Sequence, residues 1–547
     1  MYKIDVQIRN KKTEHRVITV ENKESLLDSF IRNACITQSI CGGNGTCGKC
    51  KVQVCGTEKS DVPVTAKDKA FFSETELEEG WRLACALYPK EDMTILLDVV
   101  DDCEYEILSR YKDDVRQMLQ GDNTVECALL IDLGTTTLVF QLIEKRTKRL
   151  IYTVTSLNSQ HKYGADVISR IQAATQQKAG ELRACIIKDL GAGIAKVAEE
   201  TGICTEQIEK IVIAGNTTMI HLLMGYESSG LGRYPFTPVN MDMICEPMDV
   251  ILRMENVTAR DAANPLVTIF PGISAFVGGD ILSGLYALEF DKKSEINLLI
   301  DLGTNGEIAL GNKDRILVAS TAAGPAFEGG NISWGMGSIA GAVSSVKINR
   351  RKMERIGARG YANAEHNYDV KIQTIYDKLP CGICGTGVIE IMAELLENKI
   401  ADETGLLTDE YFDRGFPVAK TAEGEQIVLT QKDIRELQLA KAAIRAGVET
   451  LILRYGINAD EISKVYLAGG FGYFLDVKKA AVIGMLPKEL IAKTEAVGNT
   501  SLAGTARFLY DKEGNIAIES IRAVSEDVVL AKDSSFNELY MKFMYFE

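Results

Sequence analysis

Leu129-Leu130-Ile131-Asp132-Leu133-Gly134-Thr135-Thr136-Thr137 recurs, little changed, as Leu298-Leu299-Ile300-Asp301-Leu302-Gly303-Thr304-Asn305-Gly306. In each copy an apolar run of strand character ends in one aspartate and a Gly/Thr turn. That strand end presents a carboxylate beside backbone N–H groups and hydroxyls. Turn amides and threonine hydroxyls suit phosphate oxygens, whereas aspartate and water suit Mg2+. One copy alone reads equally well as an ordinary β-turn. Two copies a domain's length apart point to a duplicated lobe that grips phosphate and cation together.

A second signal lies near the amino terminus. Cys41-Gly42-Gly43-Asn44-Gly45-Thr46-Cys47-Gly48-Lys49-Cys50 offers three thiols from one glycine-rich loop, and Cys85 returns from a distant segment. This three-plus-one layout suits a 2Fe-2S cluster held by Cys41, Cys47, Cys50 and Cys85. Plant-type ferredoxins use a C-x4-C-x2-C run with a remote fourth cysteine, and here the first gap is one residue longer. Structural zinc is the bland alternative, but zinc favours paired C-x2-C knuckles, and Cys85 has no such partner. Gly43 to Cys50 also imitates a P-loop; the motif needs Ser or Thr after its lysine to hold magnesium, and Cys50 stands there instead.

Around that loop, Tyr2 to Ile8 and Arg16 to Val20 alternate like two strands, Ser25 to Ile31 reads as a short amphipathic helix, and Lys51 to Val54 as a further strand. The order resembles the β-grasp ferredoxin fold over residues 1–92. Residues 93–124, with the charged stretch Leu108 to Asp122, read as a linker helix.

The chain has 547 residues, more than one hydrophobic core serves. No apolar run of about 18 residues and no leader is found, so the cytoplasm is expected and a membrane is not. Thirteen cysteines in this length are too sparse for a disulfide scaffold and fit reduced thiols or metal ligands. A net charge of −15 argues against nucleic acid and favours a protein partner.

The paired Asp-Leu-Gly-Thr strand ends resemble the ASKHA superfamily of actin, sugar-kinase and heat-shock chaperone ATPases, with two RNase H-like lobes that close on ATP. The fold class is therefore α/β multidomain: an N-terminal β-grasp domain, the linker, a first lobe over 125–290 and a second over 291–547. Val465-Tyr466-Leu467-Ala468-Gly469-Gly470 looks like the adenosine motif, and Ile211 to Thr218 like its first-lobe counterpart. Gly498 to Gly504 resembles the small-residue crossing helix at the hinge, with Gly278 to Gly284 opposite it. Thr430-Gln431-Lys432-Asp433 opens a long amphipathic helix in the manner of a capping box.

A cluster domain ahead of an ASKHA ATPase resembles the ATP-dependent reductive activators of corrinoid proteins. The likeness is close in Tyr163 to Arg170, in Gly324 to Ile332 and in Leu429 to Ala442. It implies an ATP-driven enzyme that passes one electron from a 2Fe-2S cluster to a corrinoid protein of a methyltransferase system, returning Co(II) to Co(I). It further implies an upstream low-potential electron donor, and it allows a homodimer. In this reading Asp132 and Asp301 hold Mg2+ and orient water. Gly134, Thr135, Thr136, Gly303, Thr304 and Asn305 meet the phosphates, and Gly469 and Gly470 border the adenosine. Competing readings are an ATP-driven donor to another low-potential enzyme such as a dehydratase, and a nucleotide-gated actin-like binding module with a structural cluster. Cys381 and Cys384 read as a turn with buried thiols. His15, His161, His221 and His366 show no metal-ligand spacing. The glycine-rich stretch Gly324 to Gly341 fits either a docking loop around Trp334 or tight turns beside the nucleotide.

Overall fold

The computed structural model describes residues 1–8, 15–21, 24–32, 50–55, 62–97, 125–252, 264–350, 368–469 and 475–546. These fall into two compact units, one drawn from Met1–Glu104 and Asn158–Ile186, the other from Tyr105–Leu157 and Ile187–Glu547.

In the first unit, β1 (Tyr2–Ile8), β2 (His15–Val20), β3 (Lys51–Cys55), β4 (Trp81–Leu83) and β5 (Met93–Leu97) form one sheet in the order β2-β1-β5-β3-β4. Side chains alternate across a strand, and Ile4 and Val6 of β1, Val52 and Val54 of β3 and Ile95 of β5 accordingly share the buried face. The helix Leu26–Arg32 lays Leu26, Leu27 and Phe30 on that face. The mixed order, with β1 antiparallel to β2 and parallel to β5, is the β-grasp arrangement. One boundary changes. The sequence reading ends this domain at residue 92, whereas Met93–Leu97 is its central strand, paired on both sides. Its place in the domain rests on pairing with β1 and β3, which lie far from it in sequence. The proposed linker helix beyond it lies outside the described residues. In the second segment of this unit, Asp166 caps the helix Val167–Ala173, and buried Arg170 donates to the Gly164 carbonyl at 3.0 Å.

The second unit contains the same plan twice. One six-stranded sheet runs β10-β11-β9-β6-β7-β8, from β6 (Cys127–Leu133), β7 (Thr137–Glu144), β8 (Arg149–Leu157), β9 (Ile208–Gly215), β10 (Ile244–Pro247) and β11 (Leu266–Ile269). The other holds β12 (Asn297–Leu302), β13 (Gly306–Asn312), β14 (Arg315–Thr321) and the strands Lys464–Ala468, Thr494–Gly498 and Ser525–Asp527. β6 lies between antiparallel β7 and parallel β9, and β12 lies between antiparallel β13 and the parallel Lys464–Ala468 strand. The two sequence repeats thus occupy equivalent central positions. Burial on both faces explains their unbroken apolar runs, because a strand covered on both sides has no polar alternation.

Two helices meet between these sheets. Gly279–Ala287 and Thr500–Phe508 approach so closely that a Cβ on Gly284 would lie 2.7 Å from Thr500 Oγ1, and one on Gly504 2.6 Å from the Ser283 carbonyl carbon. Ser283 Oγ donates to the Ser501 carbonyl at 2.7 Å across this crossing. The long helix Gln431–Tyr455 begins with the capping box, Thr430 and Asp433 each bonding the other's backbone N–H, and ends at Gly456 in the left-handed conformation. Its buried face, including Ile434, Leu437, Ile444, Val448 and Leu451, packs into the core beneath the second sheet. Among the described residues no helix is long and apolar enough to cross a membrane.

Candidate functional site

Both repeat strands turn into hairpins at their aspartate ends. The Gly134 N–H donates to Thr137 O at 3.0 Å and the Gly303 N–H to Asn305 O at 3.1 Å. A Cβ on Gly134 would stand 2.6 Å from Thr137 O, so this turn requires glycine. The two hairpin tips meet. Thr136 Oγ1 lies 2.8 Å from Thr304 Oγ1, and both hydroxyls reach Glu328 Oε2, at 2.9 and 2.6 Å respectively. Glu328 ends the short turn Pro325–Glu328. Thr135, largely buried, accepts from Asn216 Nδ2 at 2.9 Å, and Asn216 caps the helix Thr217–Met224.

Behind the tips stand the carboxylates. Asp132 accepts from Asn499 Nδ2 at 2.6 Å and from Ser501 Oγ at 2.9 Å. Burial pushes its pKa up, and those two hydrogen bonds oppose the rise. Asp301 pairs across the ladder with Glu307 and lies beside Ala468. Its pKa is pushed up to about 8, by burial first and then by the negative charges of Asp280, Asp132 and Glu328. Asp280, in the first turn of Gly279–Ala287, is raised to about 7 by burial and by Asp132. Glu307 is raised by burial, Asp280 and Asp301, while a hydrogen bond from Asn305 holds it down. Asp132, Asp280 and Asp301 nevertheless keep partial solvent exposure, so the group is reachable from outside. Gly469 closes in on Asp301: its φ is +93°, and a Cβ there would lie 2.8 Å from Asp301 Oδ1.

Crowded carboxylates that repel one another fit a cation. Among the described residues, however, no three His, Cys, Asp or Glu side chains converge on a single metal position. That donor set suits Mg2+, which takes one or two carboxylates and draws its other ligands from phosphate and water.

In the first unit Cys50 immediately precedes β3 and Cys85 follows β4, and both are buried. The Ala84 N–H donates to the Cys50 carbonyl at 2.8 Å, which brings the two cysteine positions to one end of neighbouring strands. Two buried thiols so placed are a fitting donor pair for iron. Cys41, Cys47 and Gly470 lie outside the described residues.

Asp280, Glu307, Glu328, Asn216, Asn499 and Ser501 join this site without having been singled out by sequence. Asp280, Asn216, Asn499 and Ser501 lie inside the small-residue segments read as hinge and lobe motifs. Glu328 sits in the Gly324 to Ile332 stretch. That stretch contains tight turns, Gly329 N donating to Ala326 O at 3.1 Å and Gly330 N to Pro325 O at 2.8 Å, and the residues after it are tied to distant segments: Met336 N donates to Ile383 O at 3.0 Å, Ile383 N to Trp334 O at 2.8 Å, and Ser333 N to Asp433 Oδ1 at 2.7 Å. Cys381 departs from expectation. Only Cys384 is buried, its thiol 3.3 Å from Val343 O, and Cys381 is exposed. Gly382 and Ile383 form a short strand rather than a simple turn. His221 is a core residue, its Nδ1 2.8 Å from Thr217 O and its Nε2 accepting from Val239 N at 2.9 Å.

Residues 10–90 match the model of a 2Fe-2S iron-sulfur cluster binding domain, 127–293 that of the RACo middle region, and 295–547 that of the C-terminal domain of RACo, the ASKHA domain. The chain is 34% identical over 437 residues to the corrinoid activation enzyme RamQ of Eubacterium limosum, covering 76% of this chain and 69% of that one. It is 28% identical over 423 residues to a Co(II) methylated amine-specific corrinoid protein reductase of Methanosarcina barkeri, covering 76% of each. The solved structure of a reductive activator for corrinoid, iron-sulfur protein superposes with a TM-score of 0.69 at 27% identity, over 100% of this chain and 98% of that one.

Proposed function

We propose that this chain, which belongs to the family of corrinoid activation enzymes, is an ATP-dependent reductase that returns the inactive Co(II) of a partner corrinoid protein to Co(I). The observation that carries the reading is the meeting of the two repeat hairpins at Thr136 and Thr304, in a chain whose amino-terminal segment matches a cluster-binding domain. Such a junction changes when phosphate arrives between the tips. ATP can drive an unfavourable reduction only by binding two conformations differently, and each 59 mV of unfavourable potential costs about 1.4 kcal/mol for one electron.

In the nucleotide unit, Asp132 and Asp301 would hold Mg2+, which neutralises phosphate charge when bound. Asn499 and Ser501 fix the Asp132 carboxylate, so the backbone and side chains beside it stay aimed at the phosphate position. Gly134, Thr135, Thr136, Gly303, Thr304 and Asn305 contact phosphate, with Asn216 orienting Thr135. Gly469, with Gly470, leaves room for the adenosine. In the first unit Cys41, Cys47, Cys50 and Cys85 would hold a 2Fe-2S cluster, which supplies a one-electron donor when bound. The amino-terminal domain reaches to Leu97, with a linker up to residue 124 and lobes over 125–290 and 291–547. An upstream low-potential donor and a cytoplasmic setting complete the proposal, which allows a homodimer.

The test is anaerobic. Purified protein is mixed with a Co(II) corrinoid protein, with and without ATP, and the loss of Co(II) and the release of phosphate are followed together. Cys47→Ser should lose reduction and keep ATPase activity, whereas Asp301→Ala should lose both ATPase activity and ATP-coupled reduction while keeping its iron. Reduction by the Cys47→Ser protein would break the proposed electron route.

A further inference from the structure

Glu328 holds a position that the nucleotide reading leaves unexplained. It is an acidic side chain placed where a phosphate-binding site would be expected to present donors. Its Oε2 receives the hydroxyls of Thr136 and Thr304, one from each repeat hairpin, at 2.9 and 2.6 Å, while the two hydroxyls stand 2.8 Å from each other. With the carboxylate ionised, two hydroxyl protons serve three short contacts, so one contact always lacks a proton. A phosphate group, with three acceptor oxygens, satisfies the same hydroxyls without that shortage. The backbone that presents Glu328 is fixed. The Gly329 N–H donates to Ala326 O at 3.1 Å, the Gly330 N–H to Pro325 O at 2.8 Å, and a Cβ on Gly329 would run into the Met336 backbone. Any release of Glu328 is therefore a swing of its side chain.

We propose that Glu328 is an internal occupant of the terminal-phosphate position, displaced by a nucleoside triphosphate and left in place by a diphosphate, and so weakens the binding of ATP while leaving that of ADP unaltered. This rests on the reading of the two hairpins as phosphate-binding. The carboxylate stands in for the phosphate oxygens. While it bridges the tips, the fraction of protein able to accept a third phosphate is small, and apparent affinity falls by that fraction. Two hydrogen bonds to a charged group are enough to lower the competent fraction to about a tenth or less. Without a terminal phosphate, ADP does not compete with Glu328 and is indifferent to it.

The experiment measures the affinities of full-length wild type, Glu328→Ala, Glu328→Gln and Glu307→Gln for a non-hydrolysable ATP analogue and for ADP, with Mg2+, by titration calorimetry. Glu307 is a second carboxylate of the site that does not bridge the two threonines, so its variant reports the effect of losing a nearby carboxyl group alone. Glu328→Ala should tighten analogue binding at least about tenfold and change ADP binding less than about threefold. Glu328→Gln, which preserves shape should the alanine variant fold poorly, should move the same way by less. An unchanged ratio of analogue to ADP affinity, weaker analogue binding, or a gain no larger than that of Glu307→Gln would overturn the assignment of Glu328 and leave the nucleotide site standing. Wild-type protein that binds neither nucleotide would overturn both.

Discussion

Replacing Gly504 by alanine tests whether the crossing of the Gly279–Ala287 and Thr500–Phe508 helices holds Asp132 in position. The new Cβ would meet the Ser283 backbone, whose carbonyl carbon lies 2.6 Å away, against about 3.5–4.0 Å for relaxed carbon contacts. The helices must therefore part by about 1 Å. Overpacking of this kind costs about 1–3 kcal/mol, and parting stretches the buried Ser283 to Ser501 hydrogen bond, worth about 1 kcal/mol. Together the loss of stability should be about 2–4 kcal/mol. Function should suffer more than stability. Asn499 and Ser501, at the start of the displaced helix, both donate to Asp132, and misplacing a site by about 1 Å costs about a hundredfold in rate. Gly191→Ala is the control: it lies on the exposed side of the helix Ala179–Thr201, and its Cβ would meet no atom within 4 Å. That change should be neutral or stabilising by up to about 1 kcal/mol. Thermal denaturation and steady-state ATPase rates measure both effects. A destabilised Gly504→Ala protein with wild-type turnover would refute the link from helix crossing to Asp132, and unaltered stability would refute the packing argument beneath it.

Gly469→Ala should cost about 1–3 kcal/mol through strain at positive φ and weaken ATP binding by crowding Asp301; calorimetry with unimpaired affinity would contradict it. Cys85→Ser should abolish iron incorporation, measured by metal analysis after anaerobic reconstitution, while nucleotide hydrolysis persists. Because burial and neighbouring charge raise Asp301 to about 8 and Asp280 to about 7, the metal-free fold retains protons on them that the unfolded chain releases near pH 4. Its stability should therefore fall as pH rises from about 4 to 8. Mg2+ with nucleotide should reverse that decline at the alkaline end, and denaturation midpoints across the range with and without both ligands check the sign.

Much of this architecture was legible in local pattern. The repeated strand ends showed the duplication, because burial on both faces demands an unbroken apolar run and a hairpin beyond it demands small residues. The Thr430 capping box and the alternation of β1 were equally local. Cys381 was misread because whether a thiol is buried depends on what the neighbouring strand covers, and β5 was left out of the first domain because its membership depends on pairing with strands distant in sequence.

The chain alone determined that two aspartate-tipped hairpins and a cysteine-rich β-grasp domain exist, since strand periodicity, turn chemistry and ligand spacing act over a few residues. Only the tertiary structure decided that Thr136 faces Thr304, that Glu328 bridges them, and that Asn499 grips Asp132 from 367 positions away. Those pairings follow from how two sheets and two closely crossing helices pack. That packing is a balance of burial and steric fit summed over the whole core, and no short stretch of sequence contains it.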